Sequence, residues 1–370
     1  MTMKTRVALY PVFADTLPVA RYLSNYCKDI EIVELLSPPG SCACGKDASF
    51  LDNRDDFGRY IKLFTETDAT QWDELYLLNH DVLGVSDKEK MQDIYSPMIR
   101  IAEQHNRKIK EYPHNSNAEY DVGEVSHTQE KDGAKNVIKK HATIQNIKTF
   151  LVFIGGVIAE ANAFEVLLNL YGELSNYAQI AAFSSSPNAE FCGVLSLYDL
   201  LYNRNYSEEQ KVSELQYWIN LKSREKKADI ILLQLDEPLM PFSDTQTSGF
   251  GIIPYIVSQV ISPDYCICCL PYGYTESSFL EGFKTGMEGR FGFIPDRWHL
   301  SNAMLDFTTL TTIRDAGGIH IPMDEIRNTI PRIRNQGINI GSDVLPQYSH
   351  ETVNHILQSF AEYREIASIL

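Results

Sequence analysis

Several stretches of the chain carry residue types able to do chemistry. The first is "GSCACGKDAS", residues 40–49, which opens as G-x-x-x-x-G-K-D. A phosphate loop reads G-x-x-x-x-G-K-[ST]. Its backbone amides cradle phosphate, its lysine reaches the outer phosphates and its hydroxyl holds magnesium. Here Lys46 is present, but Asp47 replaces the hydroxyl, and Asp52, Asp55 and Asp56 follow closely. Carboxylates repel phosphate, so Lys46 and Asp47 read as ligand contacts in a polar loop and not as an ATPase. Cys42 and Cys44 add a C-x-C and with it a redox or metal reading. A closed zinc site needs about four ligands, only two are local, and no metal is assigned.

The second stretch, "FLVFIGGVIAEANAFEVLLNL", has the opposite defect. It offers an apolar run, Gly155 and Gly156, and an amphipathic helical pattern, which is the context a phosphate loop needs. Between Gly155 and Glu165 there is no Lys, Ser or Thr. No cofactor is therefore assigned; only weak nucleotide or anion binding by bare amides is left open. Asn162 sits where it can meet Asp236 or Glu237 across the turn. Those two carboxylates end "IILLQLDE", the position at which phosphate-loop enzymes hold magnesium and polarise water. They are the first catalytic candidates. A third is His299, in "GRFGFIPDRWHLSNAMLDF", where a histidine among polar and aromatic residues suits acid–base work. The alternative there is a loop–helix junction whose polar groups satisfy one another. His80, in "LLNHDVLG", stands just past a strand, at the edge where open α/β sheets bind ligands.

The elements that must position these residues alternate between two periodicities. Residues 6–12, 30–37 and 72–79 are apolar and β-rich, whereas 16–27 and 87–108 have helical spacing, with Pro97 a kink in the latter. This predicts a Rossmann-like parallel-sheet domain over residues 1–112. Residues 113–147 are polar and weakly periodic and read as a linker, with a short helix near 137–144. A degenerate P-loop-like α/β domain over 148–345 follows. Its strands are predicted at 150–154, 179–186, 228–238 and 264–273, and its helices from Glu160 and over 251–261. A C-terminal helix is predicted over 346–370, capped by Ser349.

Composition narrows the partners. The chain has 370 residues, 44% hydrophobic and 22% charged, with a net charge of −16. Nucleic-acid binding needs clustered Lys and Arg, which are absent, and no apolar run reaches the ~20 residues of a membrane span. The expectation is a cytoplasmic protein that binds neither nucleic acid nor membrane. Seven cysteines show no framework spacing, and Cys266, Cys268 and Cys269 lie in an apolar run as buried hydrophobes.

The phrases "RVALYPV", "SPPG…GKDAS", "GG…ANAFEV", "SGFGIIPYIVSQVISPDYCICCL" and "GRFGFIPDRWHLSNAMLDF" resemble the peptide maturation system proteins of clostridial natural-product clusters. The resemblance runs from about residue 6 to 310. Those proteins lie beside radical SAM enzymes and small Cys-rich precursor peptides. The resemblance implies an accessory role in maturing a ribosomally made peptide, with the precursor and the maturase as partners. It transfers no catalytic residue. Gly45 to Ser49 match a family phrase, Cys42 and Cys44 do not belong to it, and Ala163 stands before "FE" where the family carries Lys. The two-domain layout also resembles an uncharacterised bacterial ligase- or transferase-like family, a likeness that implies the fold and says little about function; the alternative function is a ligase- or transferase-like enzyme using a small-molecule ligand at the inter-domain cleft.

Overall fold

The computed structural model describes residues 4–79, 88–111, 149–241, 247–305 and 318–369. The expected linker, its short helix and His80 lie outside them. Two parallel sheets organise the chain. The first contains β1 (Thr5–Tyr10), β2 (Ile30–Ser37), β3 (Ile61–Leu63), β4 (Glu74–Leu77) and β5 (Lys108–Glu111), with α1 (Leu17–Tyr26) and α2 (Lys88–Gln104). Its order is β3-β2-β1-β4-β5. The pleat divides its apolar residues between two faces. Ala8 and Tyr10 point with Trp72, Leu75 and Leu77 toward Met98 and Ala102 of α2, while Val7 and Leu9 join the main core with α1.

The second sheet begins at β6 (Phe150–Gly156), followed by α3 (Ala163–Leu174), β7 (Ile180–Ser184), β8 (Leu195–Ser196), α4 (Tyr198–Leu201), α5 (Glu208–Glu225) and β9 (Ile230–Pro238). It continues through α6 (Ile252–Ser258), β10 (Tyr265–Leu270), α7 (Ser277–Phe291), β11 (Arg297–Leu300) and a small hairpin of β12 (Ala303–Leu305) with β13 (Gly318–His320). It closes with α8 (Met323–Arg334), β14 (Ile340–Gly341) and α9 (Pro346–Ile369). The order is β14-β11-β10-β6-β9-β7-β8, every neighbour parallel. Strands β6 and β10 are buried at every position, as two-sided burial in a parallel sheet demands. Cys266, Cys268 and Cys269 are part of that core.

The stretch whose alternative reading was a loop–helix junction holds, over residues 289–305, the end of α7, the buried strand β11 and the first strand of the β12–β13 hairpin. The expected helix at 251–261 spans only Ile252–Ser258. The terminal helix starts at Pro346, so Ser349 lies inside it, buried, and donates to Glu173 Oε1 at 2.7 Å.

One apolar cluster runs through both sheets. Its bridge is α1 packed on α3. Tyr22 stacks on Tyr171 with centroids 6.2 Å apart, and a side chain at Gly172 would strike the Tyr26 ring, which accounts for a helix-interior glycine. Beside this apolar bridge lies a buried ionic one. Arg54, from the loop between β2 and β3, forks onto Glu165 in the first turn of α3, with Nη2 to Oε2 at 2.7 Å and Nη1 to Oε1 as the second contact. Arg54 Nε is also 3.7 Å from Asp52, which Arg21 holds at 2.6 and 2.9 Å. The Arg54 and Glu165 side chains are 7% and 6% exposed.

Removing one partner of such a pair strands the other charge. Arg54→Ala is expected to lower stability by about 3–5 kcal/mol, whereas Arg54→Met with Glu165→Leu should recover most of that loss. Urea unfolding of the three proteins checks this. Equal losses in the single and double variants would show that the pair is not the source.

Candidate functional site

The carboxyl edges of the two sheets face one another. Asn79, just after β4, and Asn188, in the turn after β7, bond reciprocally: Asn79 N–H to Asn188 Oδ1 and Asn188 Nδ2 to Asn79 O, both 2.7 Å. Asp15, between β1 and α1, acts electrostatically on Asp236 at the end of β9. In an open α/β sheet this edge is where loops are free to hold ligands.

A serine row lies at the second sheet's carboxyl edge. Ser184 and Gln234 are in register on β7 and β9. Ser184 Oγ donates to Gln234 Oε1 at 2.5 Å, and Gln234 Nε2 donates to Asp236 Oδ1 at 2.8 Å. Ser185 Oγ accepts the Asp236 N–H at 2.8 Å and donates to Glu237 Oε2 at 3.2 Å. Both carboxyls keep some solvent access yet are densely surrounded. Burial pushes Asp236 up to about 6 and Glu237 up to about 7. Carboxyls poised there can hold or release a proton near neutrality, as general acids and bases must. Glu160, on the turn between β6 and α3, is raised by the same cause, although its side chain reaches solvent.

The other sequence candidates fall elsewhere. Asp47 is spent inside its own loop: its carboxylate accepts from the Ser49, Phe57 and Gly58 N–H groups, each at 2.9 Å. Burial raises its pKa, but those bonds outweigh burial and hold it low. The loop opens a 3₁₀ turn, Ala48–Leu51, and not an α-helix. Lys46 is exposed, its Nζ 3.4 Å over the Phe50 ring. Cys42 and Cys44 are free thiols, and burial raises Cys44. No group of three or more His, Cys, Asp or Glu among the described residues is arranged to hold a metal ion.

The β6–α3 junction has phosphate-loop shape without its function. A Cβ at Gly155 would meet Leu239 Cδ2 at 2.7 Å, and one at Gly156 would meet the Ile158 carbonyl at 2.5 Å. The glycines are therefore required by packing and by the tight turn. Val157 N–H is turned back to Cys269 O at 2.9 Å. Asn162, left-handed at φ 64°, accepts at Oδ1 from Ser301 Oγ, which replaces the expected contact with Asp236 or Glu237. Arg54 and Glu165 occupy the helix start. Burial raises Glu165, but Arg54 and, more weakly, Arg21 and His299 overcome it and keep the carboxylate low. The protein thus supplies its own anion where a phosphate would bind a helix N-terminus.

His299 is fully buried, with Nδ1 accepting the Asp343 N–H at 2.8 Å. This corrects its reading as a cleft acid–base. Burial raises Asp343, yet His299 and Arg297 hold it low. Sequence reasoning singled out neither the serine row nor Arg54. The "SSS" at the end of β7 was the available signal for the first.

No protein-family model matches the chain, and no curated protein matches it. Among solved structures, it is similar to a DUF1611 family protein from Anabaena variabilis at TM-score 0.54 and 13% identity, covering 96% of this chain and 100% of that one. That likeness is one of fold, a mixed α/β architecture with parallel sheets. A GTPase from Pyrococcus abyssi, solved in apo form, aligns only at TM-score 0.25 and 11% identity, over 42% of this chain and 68% of that one.

Because Asp236 and Glu237 have folded pKa values above their ordinary 3.8 and 4.5, the fold binds more protons than the unfolded chain between about pH 4 and 7. Their contribution to stability is full below that window and is lost as pH rises through 6 and 7. Asp236→Asn with Glu237→Gln is expected to flatten the dependence and add roughly 2 kcal/mol at pH 8. Urea midpoints at pH 5 and pH 8 measure both effects, and a double variant no more stable than wild type at pH 8 would refute the assignment. Gly156→Ala is expected to lower the melting temperature by several degrees, since a clash worth about 1–3 kcal/mol shifts Tm by that much. Scanning calorimetry checks it.

Proposed function

We propose that this protein binds a peptide-like ligand in the recess between the carboxyl edges of its sheets, without hydrolysing a nucleoside triphosphate, as an accessory factor in maturing a ribosomally made peptide. The observation that carries the reading is the Asp236–Glu237–Ser185 group, with carboxyls at about 6 and 7. A protonated carboxyl donates to a carbonyl and an ionised one accepts from an amide or amine. A peptide group presents both. Phosphate is disfavoured twice over, by the carboxylates in the recess and by Glu165 at the start of α3. The precursor peptide and the radical SAM maturase are proposed as partners on the family resemblance alone.

A second reading, a ligase- or transferase-like enzyme, draws on the same two carboxyls, since groups poised near neutrality suit proton transfer. Native mass spectrometry with the precursor peptide and the maturase is expected to give a complex, weakened about tenfold or more by Glu237→Gln. Calorimetry with ATP and GTP is expected to be silent. A folded protein that binds neither peptide nor maturase refutes the accessory reading. Conversion of the precursor by this protein alone, lost in Asp236→Asn, favours the enzyme.

A further inference from the structure

The turn into α6 presents apolar side chains to solvent. Nine large hydrophobic residues are exposed among the described residues, and three of them, Phe250, Ile252 and Tyr255, fall within one short stretch. They are 57%, 51% and 46% exposed. Ile252 and Tyr255 are three apart on α6, the spacing that makes neighbours of helix side chains. Pro254, Ile256 and Val257 of the same helix are buried, so α6 is apolar inside and apolar again outside. Ser258 and Gln259 border the outer group, with Ser258 Oγ donating to Tyr255 O at 2.7 Å. Exposed apolar groups with a polar border mark interaction sites.

The backbone holds Phe250 there under strain. Gly249, Phe250 and Gly251 are all left-handed, at φ 62°, 56° and 62°. Glycine adopts that conformation freely, whereas a bulky side chain does not. Two contacts fix the turn. A Cβ at Gly251 would lie 2.3 Å from Leu239 O, so the turn is pressed against the chain just after β9. Arg290, near the end of α7, donates from Nη2 to Phe250 O at 2.5 Å and sets its guanidinium over the Tyr255 ring, 5.9 Å from the centroid. A residue more than half exposed adds little to the core, so packing within the chain does not offset the strain at Phe250.

The contact with Leu239 also sets the distance to the carboxyl pair. Glu237 is two residues before Leu239, so the Gly251 Cα lies within about 14 Å of the Glu237 Cα, a span that about four extended residues cover. Size and charge then select the occupant. At roughly 200 Å² for a side chain of this size, the exposed parts amount to about 300 Å². A stable dimer takes about 800 Å² from each partner. A second copy would also bring a second charge of −16, and the same charge repels an anionic membrane surface. A short peptide needs only a few apolar side chains in contact.

We propose that Phe250, Ile252 and Tyr255 dock the apolar side chains of a short extended peptide. The choice of a peptide rests on the reading of Asp236 and Glu237 given above, to which this surface adds an apolar anchor about four residues away.

The test uses the intact protein with 13C-labelled isoleucine methyl groups, and Ile252→Val identifies the Ile252 signal. The probes are the synthetic peptides Gly-Gly-Leu-Gly-Phe-Gly and Gly-Gly-Ser-Gly-Ser-Gly. The expected result is a saturable shift of the Ile252 methyl with the apolar peptide and none with the serine peptide. Phe250→Asn removes the ring but suits a left-handed backbone. It is expected to weaken the apolar peptide about tenfold or more without lowering Tm, and Tyr255→Ser to weaken it similarly. No saturable shift, an equal response to the serine peptide, or unchanged affinity in Phe250→Asn would each overturn the proposal. A lower Tm in Phe250→Asn would show that the ring serves the fold and would also overturn it. So would a shift that follows protein dilution, the mark of a second copy, or one that phosphatidylserine vesicles produce, the mark of a membrane. Glu237→Gln separates the two readings. Binding weakened by Phe250→Asn but not by Glu237→Gln supports this surface and refutes the role of the carboxyl pair. Binding weakened by Glu237→Gln alone overturns this surface and leaves that pair standing.

Discussion

The buried fork between Arg54 and Glu165 constrains everything around it. It sits where a loop of the first sheet meets the first turn of a helix of the second, and it brings a full positive and a full negative charge into the interior. Desolvating both is worthwhile only where geometry is good and the remaining polar atoms are bonded. The surrounding residues meet most of that condition, with Arg54 Nε and Asn302 Oδ1 left without a hydrogen bond. Arg21 holds Asp52, Asn302 holds the Asp52 carbonyl, and Asn53 Nδ2 reaches the His320 carbonyl at 2.9 Å. Loop, helix start, strand end and hairpin are fixed in one register by these bonds, and the facing of the two carboxyl edges follows from it.

The same fork explains what became of the phosphate-loop shape. The strand, the glycine turn and the helix persist at β6–α3 because the packing of Leu239 and the tight turn at Ile158 require them. A carboxylate of the chain's own, neutralised by its own guanidinium, has taken the place an anion would fill. With that role filled internally, nothing in the fold demands the lysine and hydroxyl that a nucleotide site needs, and the polar chemistry that remains accessible lies on the β7–β9 side.

Much of the fold was legible because its strands are extreme. β1, β6, β9 and β10 are nearly continuous runs of buried apolar residues, and such runs read as interior parallel strands. β3, β5 and β14 are two to four residues long and lie at or beside sheet edges, too short for a periodic pattern to show. α5 is largely polar, buries only Lys211, Leu215, Ile219 and Ser223, and announces itself mainly through the cap at Ser207. At the site, Asp236 and Glu237 could be named from their place at a strand end. Asp47 could not be told from a ligand contact, because three backbone N–H groups claim it only once the loop has closed. Arg54 stood unnoticed among Asp52, Asp55 and Asp56, since its partner is 111 residues away.

The packing of α1 on α3 also sets an order of events during synthesis. Tyr22 and Tyr26 leave the ribosome well before Tyr171 and Gly172, against which they close. At ordinary elongation rates that interval is roughly 7–30 s. Through it the side of α1 that α3 will cover has no native partner, and its aromatic surface stays open until the second half arrives.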